Sequence, residues 1–163
     1  FADEIMKNLG HFQKKGGKFI IPIPVPRIVS AESGNMEKLK IEKLSPTFSD
    51  GRGAITDILS GDMQNLGIIT QKKGSVRGNH YHKAQTQYTY MLKGRIEMVT
   101  KDLREPNSVP MTAIISEGEL ITHPAMVAHA YRALEDSVFL AITTKRRDEG
   151  GYEDDTFRIG LVK

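Results

Sequence analysis

Gly74-Ser-Val-Arg-Gly-Asn-His80-Tyr-His82-Lys-Ala-Gln-Thr-Gln87-Tyr-Thr-Tyr-Met-Leu-Lys-Gly94 is the stretch whose reading decides the fold. Side chains alternate faces along a strand, so His80 and His82, two apart, point the same way. A short turn over residues 83 to 86 lets Gln87 return on the neighbouring strand and face the same interior. A second segment, Gly118-Glu-Leu-Ile-Thr-His123-Pro124-Ala-Met-Val-Ala-His129, brings a third imidazole from a distant strand. Three imidazoles and an amide oxygen converging inside a rolled sheet predict a site for a first-row metal at His80, His82, Gln87 and His129. The bland alternative is that these are ordinary buried histidines, or a pocket without an ion. Against it stands the count: the chain has five histidines, and three of them fall at the predicted ligand positions.

Outward from this stretch the pattern is all-β from Leu39 onward. Strands are predicted at 55–59, 66–71, 75–82, 86–92, 95–100, 111–115, 119–122, 129–134 and 137–143, with a last strand-like run at 156–162. Gly, Asn, Asp and Pro punctuate them at Asp50-Gly-Arg-Gly53, Leu92-Lys-Gly94, Glu105-Pro-Asn-Ser108 and Ser116-Glu-Gly118. Many short strands with no helical stretch between them call for a sandwich or a barrel. Residues 1–35 are read as an amino-terminal arm and 36–163 as the barrel domain. Ala2 to Leu9 can form a short helix with Asp3 and Glu4 in its first turn. The segment Phe19-Ile-Ile-Pro-Ile-Pro-Val-Pro26 must be extended, because alternate prolines forbid a helix.

Composition narrows the function classes. The chain of 163 residues is 39% hydrophobic, which suits one globular domain with an appended arm. No apolar run approaches the ~18 residues a membrane helix requires, so no membrane partner is expected. There is no cysteine, which accords with a cytoplasmic setting. The net charge of +3 raises nucleic acid as a partner class, but residues 1–43 hold eight Lys or Arg against five Asp or Glu. The whole excess therefore sits in the first 43 residues and the rest of the chain is balanced, so no nucleic-acid partner is predicted.

The spacing resembles the cupin family. From Gly74 through His80, His82 and position 87 to Gly94, every interval of the first cupin motif is met, with Gln87 where the family usually has Glu. Gly118, Pro124 and His129 match the second motif, while Met126 and Ala133 stand in place of its Gly and Asn. The resemblance covers roughly residues 46–145. It implies a double-stranded β-helix, the cupin jelly-roll barrel, holding one divalent transition metal (zinc, iron, nickel or manganese). Asp50-Gly-Arg-Gly53 and Arg77-Gly-Asn-His80 narrow the likeness to RmlC-like cupins, the sugar-nucleotide branch. That branch includes dTDP-4-dehydrorhamnose 3,5-epimerases, keto-sugar isomerases and the metal-binding cupins of capsular polysaccharide biosynthesis.

What this branch implies is an epimerase or isomerase acting on a keto sugar carried by a nucleotide. Arg77 would then meet the diphosphate and His80 would act as base. Two features depart from the epimerases: His82 stands where they have Gln, and Lys145-Arg146-Arg147 where their catalytic Tyr should fall. Strand periodicity places Thr89 and Met91 on the face of Gln87, and Tyr131 on the face of His129. Thr89 and Met91 are thus candidate substrate contacts, and Tyr131 a candidate proton shuttle. Arg77 points outward in an ideal strand, but a bulge near the strand start would re-aim it. His123, off-register from a ligand, is expected at the pocket rim as a substrate contact or in a structural role. Cupins often pair, so a homodimer is predicted. Two alternatives stand beside the epimerase reading: a metal-dependent dioxygenase and a non-catalytic small-molecule-binding cupin.

Overall fold

The computed structural model describes residues 38–147 and 154–163, together with the backbone of a short antiparallel pair, β1 (Lys14–Lys15) and β2 (Lys18–Phe19). The helix expected over 2–9 and the proline-rich stretch 19–26 lie outside the described residues, as does most of the proposed arm. Among the described residues the architecture is all-β. The strands are β3 (Lys40–Lys43), β4 (Phe48–Asp50), β5 (Gly53–Ile55), β6 (Asn65–Gln71) and β7 (Val76–Tyr81), then β8 (Gln87–Lys93) and β9 (Arg95–Asp102). They continue with β10 (Met111–Ser116), β11 (Glu119–His123), β12 (Val127–Ala133), β13 (Ser137–Thr143) and β14 (Phe157–Arg158). No helix among the described residues is long and apolar enough to cross a membrane.

Two five-stranded antiparallel sheets make the jelly roll, one in the order β10-β9-β12-β7-β14, the other β3-β11-β8-β13-β6. Their inner faces follow from period-2 patterning. On β8, Gln87, Thr89 and Met91 are buried while Tyr88 and Tyr90 are only half-buried. Met91, Ile96, Met98, Ile115, Ile121, Tyr131 and Phe139 form the apolar core between the sheets. At roughly 25 cal/mol per Å² of apolar area, such a layer is the main term favouring closure. The polar cluster of interest occupies the same interior further along the strands.

Two expected strands turn out shorter or displaced. Residues 56–59 are not strand, because the Asp50 carboxylate accepts the Arg52 N–H at 2.9 Å and closes a tight β4–β5 hairpin just upstream. The last run holds only Phe157–Arg158, since the Asn79 side chain captures the N–H groups of Leu161 and Val162, both at 2.9 Å. Strand β3, not foreseen, pairs along β11 from Lys40 to Lys43.

One irregularity positions the site. Between β7 and β12 the register shifts: His80 lies opposite His129, but Gly78 lies opposite Ala130 and Arg77 opposite Tyr131. The extra residue is taken up at Gly78 (φ 83) and Asn79 (φ 54), both left-handed. This is a β-bulge. Only glycine fits at 78, where an added Cβ would sit 2.8 Å from the His129 carbonyl oxygen. The bulge reverses the faces of the residues before it, so Arg77 shares the face of Tyr131 rather than pointing away.

Candidate active site

Strand β7 supplies His80 and, one residue past its end, His82; β8 supplies Gln87 and Thr89; β11 supplies His123; β12 supplies His129 and Tyr131. The predicted convergence is present. Ring centroids of His80 lie 4.9 Å from His82 and 4.7 Å from His129. One nitrogen of each of the three rings falls within 4.8 Å of the others. All three are buried, His80 the least so at 6% exposure.

Behind them runs a chain of polar contacts. Gln87 Oε1 lies 3.2 Å from His82 Nε2, and Gln87 Nε2 donates to Thr89 Oγ1 at 3.4 Å. Thr89 Oγ1 is 3.1 Å from the Tyr131 hydroxyl, which is 2.6 Å from His123 Nε2. His123 stacks on His129 with centroids 4.2 Å apart. His123 is 1% exposed and belongs to this interior network, in the structural role rather than at the rim. Thr89 also belongs to it, while Met91 is fully buried in the apolar core. Arg77 is exposed, at the edge of β7 beyond its pairing with β14.

Burial sets the charges. It pushes His80 down to about 4, helped by the neighbouring His82 and by the guanidinium groups of Arg158 and Arg147. Burial pushes His123 down to about 3, with His80 and His82 adding to the shift. His129 is lowered well below its ordinary value for the same first reason. The Tyr131 phenol is raised by burial, against hydrogen bonds from Thr89 and Gln87 that lower it. At neutral pH His80, His123 and His129 are therefore neutral beside a protonated Tyr131 phenol. Arg158 stands opposite His80 in the β14–β7 register, which puts a fixed cation beside the most accessible imidazole.

Residues 48–147 match the polysaccharide biosynthesis C-terminal domain. The chain belongs to that family. Among solved structures, it resembles a dTDP-6-deoxy-D-glucose-3,5-epimerase, RmlC of Legionella pneumophila, in complex with dTDP-4-keto-L-rhamnose. That likeness has 18% identity and a TM-score of 0.65 over 85% of this chain and 79% of the other. A mutant of the 3,4-ketoisomerase QdtA of Thermoanaerobacterium thermosaccharolyticum, in complex with TDP-4-keto-6-deoxyglucose, superposes with a TM-score of 0.60. It shares 20% identity over 76% of this chain and 88% of that one. The fold is thus the RmlC-like cupin jelly roll. The chain also matches the C-methyltransferase NovU of Streptomyces niveus, 54% identical over 33 residues, and spans 8% of that protein's length.

These findings correct one expectation. A divalent transition metal at His80, His82, Gln87 and His129 does not carry over, because RmlC-like epimerases act without one. The physical reason in this chain lies at the fourth position. Gln87 brings no negative charge, and its amide is engaged with His82 and Thr89 rather than directed at an ion.

Asp155 and Gln85 were not foreseen. The Asp155 carbonyl accepts a hydrogen bond from His82 Nδ1 at 2.6 Å, and the Gln85 amide nitrogen packs 2.8 Å from the same ring nitrogen. Asp155 sits in an acidic run, Asp148-Glu-Gly-Gly-Tyr-Glu-Asp-Asp155, that reads as a solvated loop. Nothing in its composition marks Asp155 as turning inward.

Proposed function

We propose that this domain binds a nucleotide sugar and catalyses epimerisation or isomerisation of a keto sugar by proton transfer at the carbon beside the carbonyl. The observation that carries this reading is a neutral imidazole, His80, at the least buried point of a polar cluster, with Arg158 opposite it in register. A neutral imidazole is a proton acceptor. Two guanidinium groups near it attract a diphosphate, whose negative charge would offset the shift they impose and make His80 a stronger base. Arg77, turned by the bulge toward the face of Tyr131, is a further anchor for that group. Tyr131 keeps its proton at neutral pH, and its hydroxyl is fixed by Thr89 and His123, so it serves as the interior proton donor. His82, Gln87 and His129 hold the geometry around the base. The RmlC and QdtA complexes, whose ligands are nucleotide-linked keto sugars, support the same substrate class.

The test is solvent exchange. In heavy water with dTDP-4-keto-6-deoxyglucose, the protein should place deuterium at the carbon next to the carbonyl, read by proton NMR. His80→Asn should abolish the exchange. Binding with no exchange in the unaltered protein would overturn the enzymatic reading in favour of a simple binding barrel. Unchanged exchange in Tyr131→Phe would remove Tyr131 as donor.

Residues 36–163 are proposed as the cupin unit and 1–35 as an arm, in a cytoplasmic homodimer. A second copy is supported by the outer face of β6, where Leu66 and Ile68 are 63% and 70% exposed. They lie opposite Ile142 and Leu140 on the same sheet face.

A further inference from the structure

We propose that Asp155, carried by the C-terminal segment, is the positioning residue that fixes the ring of His82 and with it the floor of the proposed active site. Its role rests on the functional reading above only for what His82 does, not for how His82 is held.

The carboxylate of Asp155 is buried, 7% exposed, and faces the turn between β7 and β8. Oδ1 accepts the N–H of Lys83 at 2.8 Å and of Ala84 at 3.2 Å. Oδ2 accepts the N–H of Ala84 at 3.2 Å and of Gln85 at 3.0 Å. Three consecutive amides converging on one carboxylate form a cradle that makes its burial tolerable. The same residue's carbonyl meets His82 Nδ1 at 2.6 Å. A carbonyl can only accept, so this contact needs a proton on His82 Nδ1, while Nε2 is turned inward toward Gln87 Oε1 at 3.2 Å. One residue therefore sets both the turn from which Gln87 departs and the orientation of the imidazole before it.

The segment is tied down around this contact rather than lying loosely. Phe157 and Arg158 add a strand to β7, opposite Tyr81 and His80. The Phe157 ring stacks on Tyr81 at 5.3 Å, and Lys83 Nζ stands 3.9 Å over the Phe157 ring. Asn79, the bulge residue, accepts two amides from the segment and donates to the Val162 carbonyl at 2.8 Å. All of these contacts come from beyond residue 147, where the family match ends. The part of the chain that the family shares therefore holds the imidazoles, while the part beyond it locks one of them.

The experiment uses the full chain with Asp155→Ala and Asp155→Asn. Long-range proton–nitrogen correlation of the imidazoles reports the tautomer of His82, and exchange with water reports how firmly Nδ1–H is held. The unaltered protein should show a protonated, slowly exchanging Nδ1 at His82. Asp155→Ala should speed that exchange at least tenfold. Asp155→Asn, whose amide oxygen still accepts from the turn, should fall between. Sugar deuteration should drop in kcat at least tenfold with KM little changed, on the order of what a small displacement of a reacting group costs. If either variant folds and leaves exchange at His82 Nδ1 unchanged, the proposal fails. The ring spectra need no substrate, so absence of sugar deuteration in the unaltered protein would sink the functional reading and leave this one standing.

Discussion

Acid should unfold this barrel well above the pH at which carboxylates titrate, and the histidines say by how much. His80 and His123 have folded-state values of about 4 and about 3, lowered from 6.5 chiefly by burial. Above pH 6.5 both folded and unfolded chains are neutral at these rings, and the pair contributes no pH dependence. Below it, the unfolded chain binds a proton at each ring while the folded chain does not. Stability therefore falls with falling pH, and the loss levels off only once pH reaches each folded value. Each proton is worth about 1.4 kcal/mol per pH unit. Between about pH 7.5 and pH 4.5 the two rings together remove about 5 kcal/mol. That is comparable to the whole stability of a small domain, roughly 5–15 kcal/mol. His129, shifted the same way, adds to the loss. Asp50, Asp102 and Asp136 are held below the usual carboxylate range, mainly by Arg52, Arg104 and the Lys73 amide respectively. Their contribution is lost only at lower pH, so the window isolates the imidazoles.

Urea unfolding at three or four pH values across that window measures the slope directly. With His80, His123 and His129 together, the unaltered protein should lose stability at between two and three protons' worth, about 2.5–3.5 kcal/mol per unit around pH 5.5. His123→Asn, which cannot titrate, should reduce the slope by about one proton. A flat profile, or stability that rises on acidification, would refute the claim that these rings are held neutral by burial.

Other perturbations test other parts of the same picture. Tyr131→Phe leaves His123 Nε2 and the Thr89 hydroxyl each short of a buried partner and should cost about 1–3 kcal/mol in urea unfolding. Gly78→Ala would force a Cβ to within 2.8 Å of the His129 carbonyl on a backbone with φ 83. It should cost at least about 2 kcal/mol and disturb the His80–His129 pair, seen as altered imidazole resonances. Met98→Ala, at zero exposure in the core, should destabilise by about 2–5 kcal/mol, measured by the shift in the urea midpoint. Ile68→Lys, on the exposed outer face of β6, should leave stability within about 0.5 kcal/mol while converting a homodimer to monomer in light scattering.

How much of this was legible in the sequence depends on whether a residue's role is set by local period or by a distant contact. The face of His80, His82, Gln87, Thr89 and His129 follows from strand alternation, and the structure places all five inside. Met126 shows where a motif misleads without being wrong. The cupin pattern has glycine there because the backbone is left-handed, and Met126 adopts φ 65 all the same. The turn is retained because neighbouring bonds, Met126 N–H to the His82 carbonyl at 2.6 Å among them, impose it on a side chain that resists it. The sign of that geometry was in the spacing, though the residue type argued against it. For His123 the sequence left a rim place and a structural role open, because its distance from Tyr131 along the chain says nothing of a hydrogen bond formed only when β11 and β12 come from different sheets. Asp155 was the least accessible to sequence reasoning. Its acidic neighbours mask it, and its partners lie some seventy residues away, at the turn after His82. A carboxylate cradled by three amides has no local periodicity, so only the folded chain reveals that Asp155 meets the turn beside His82.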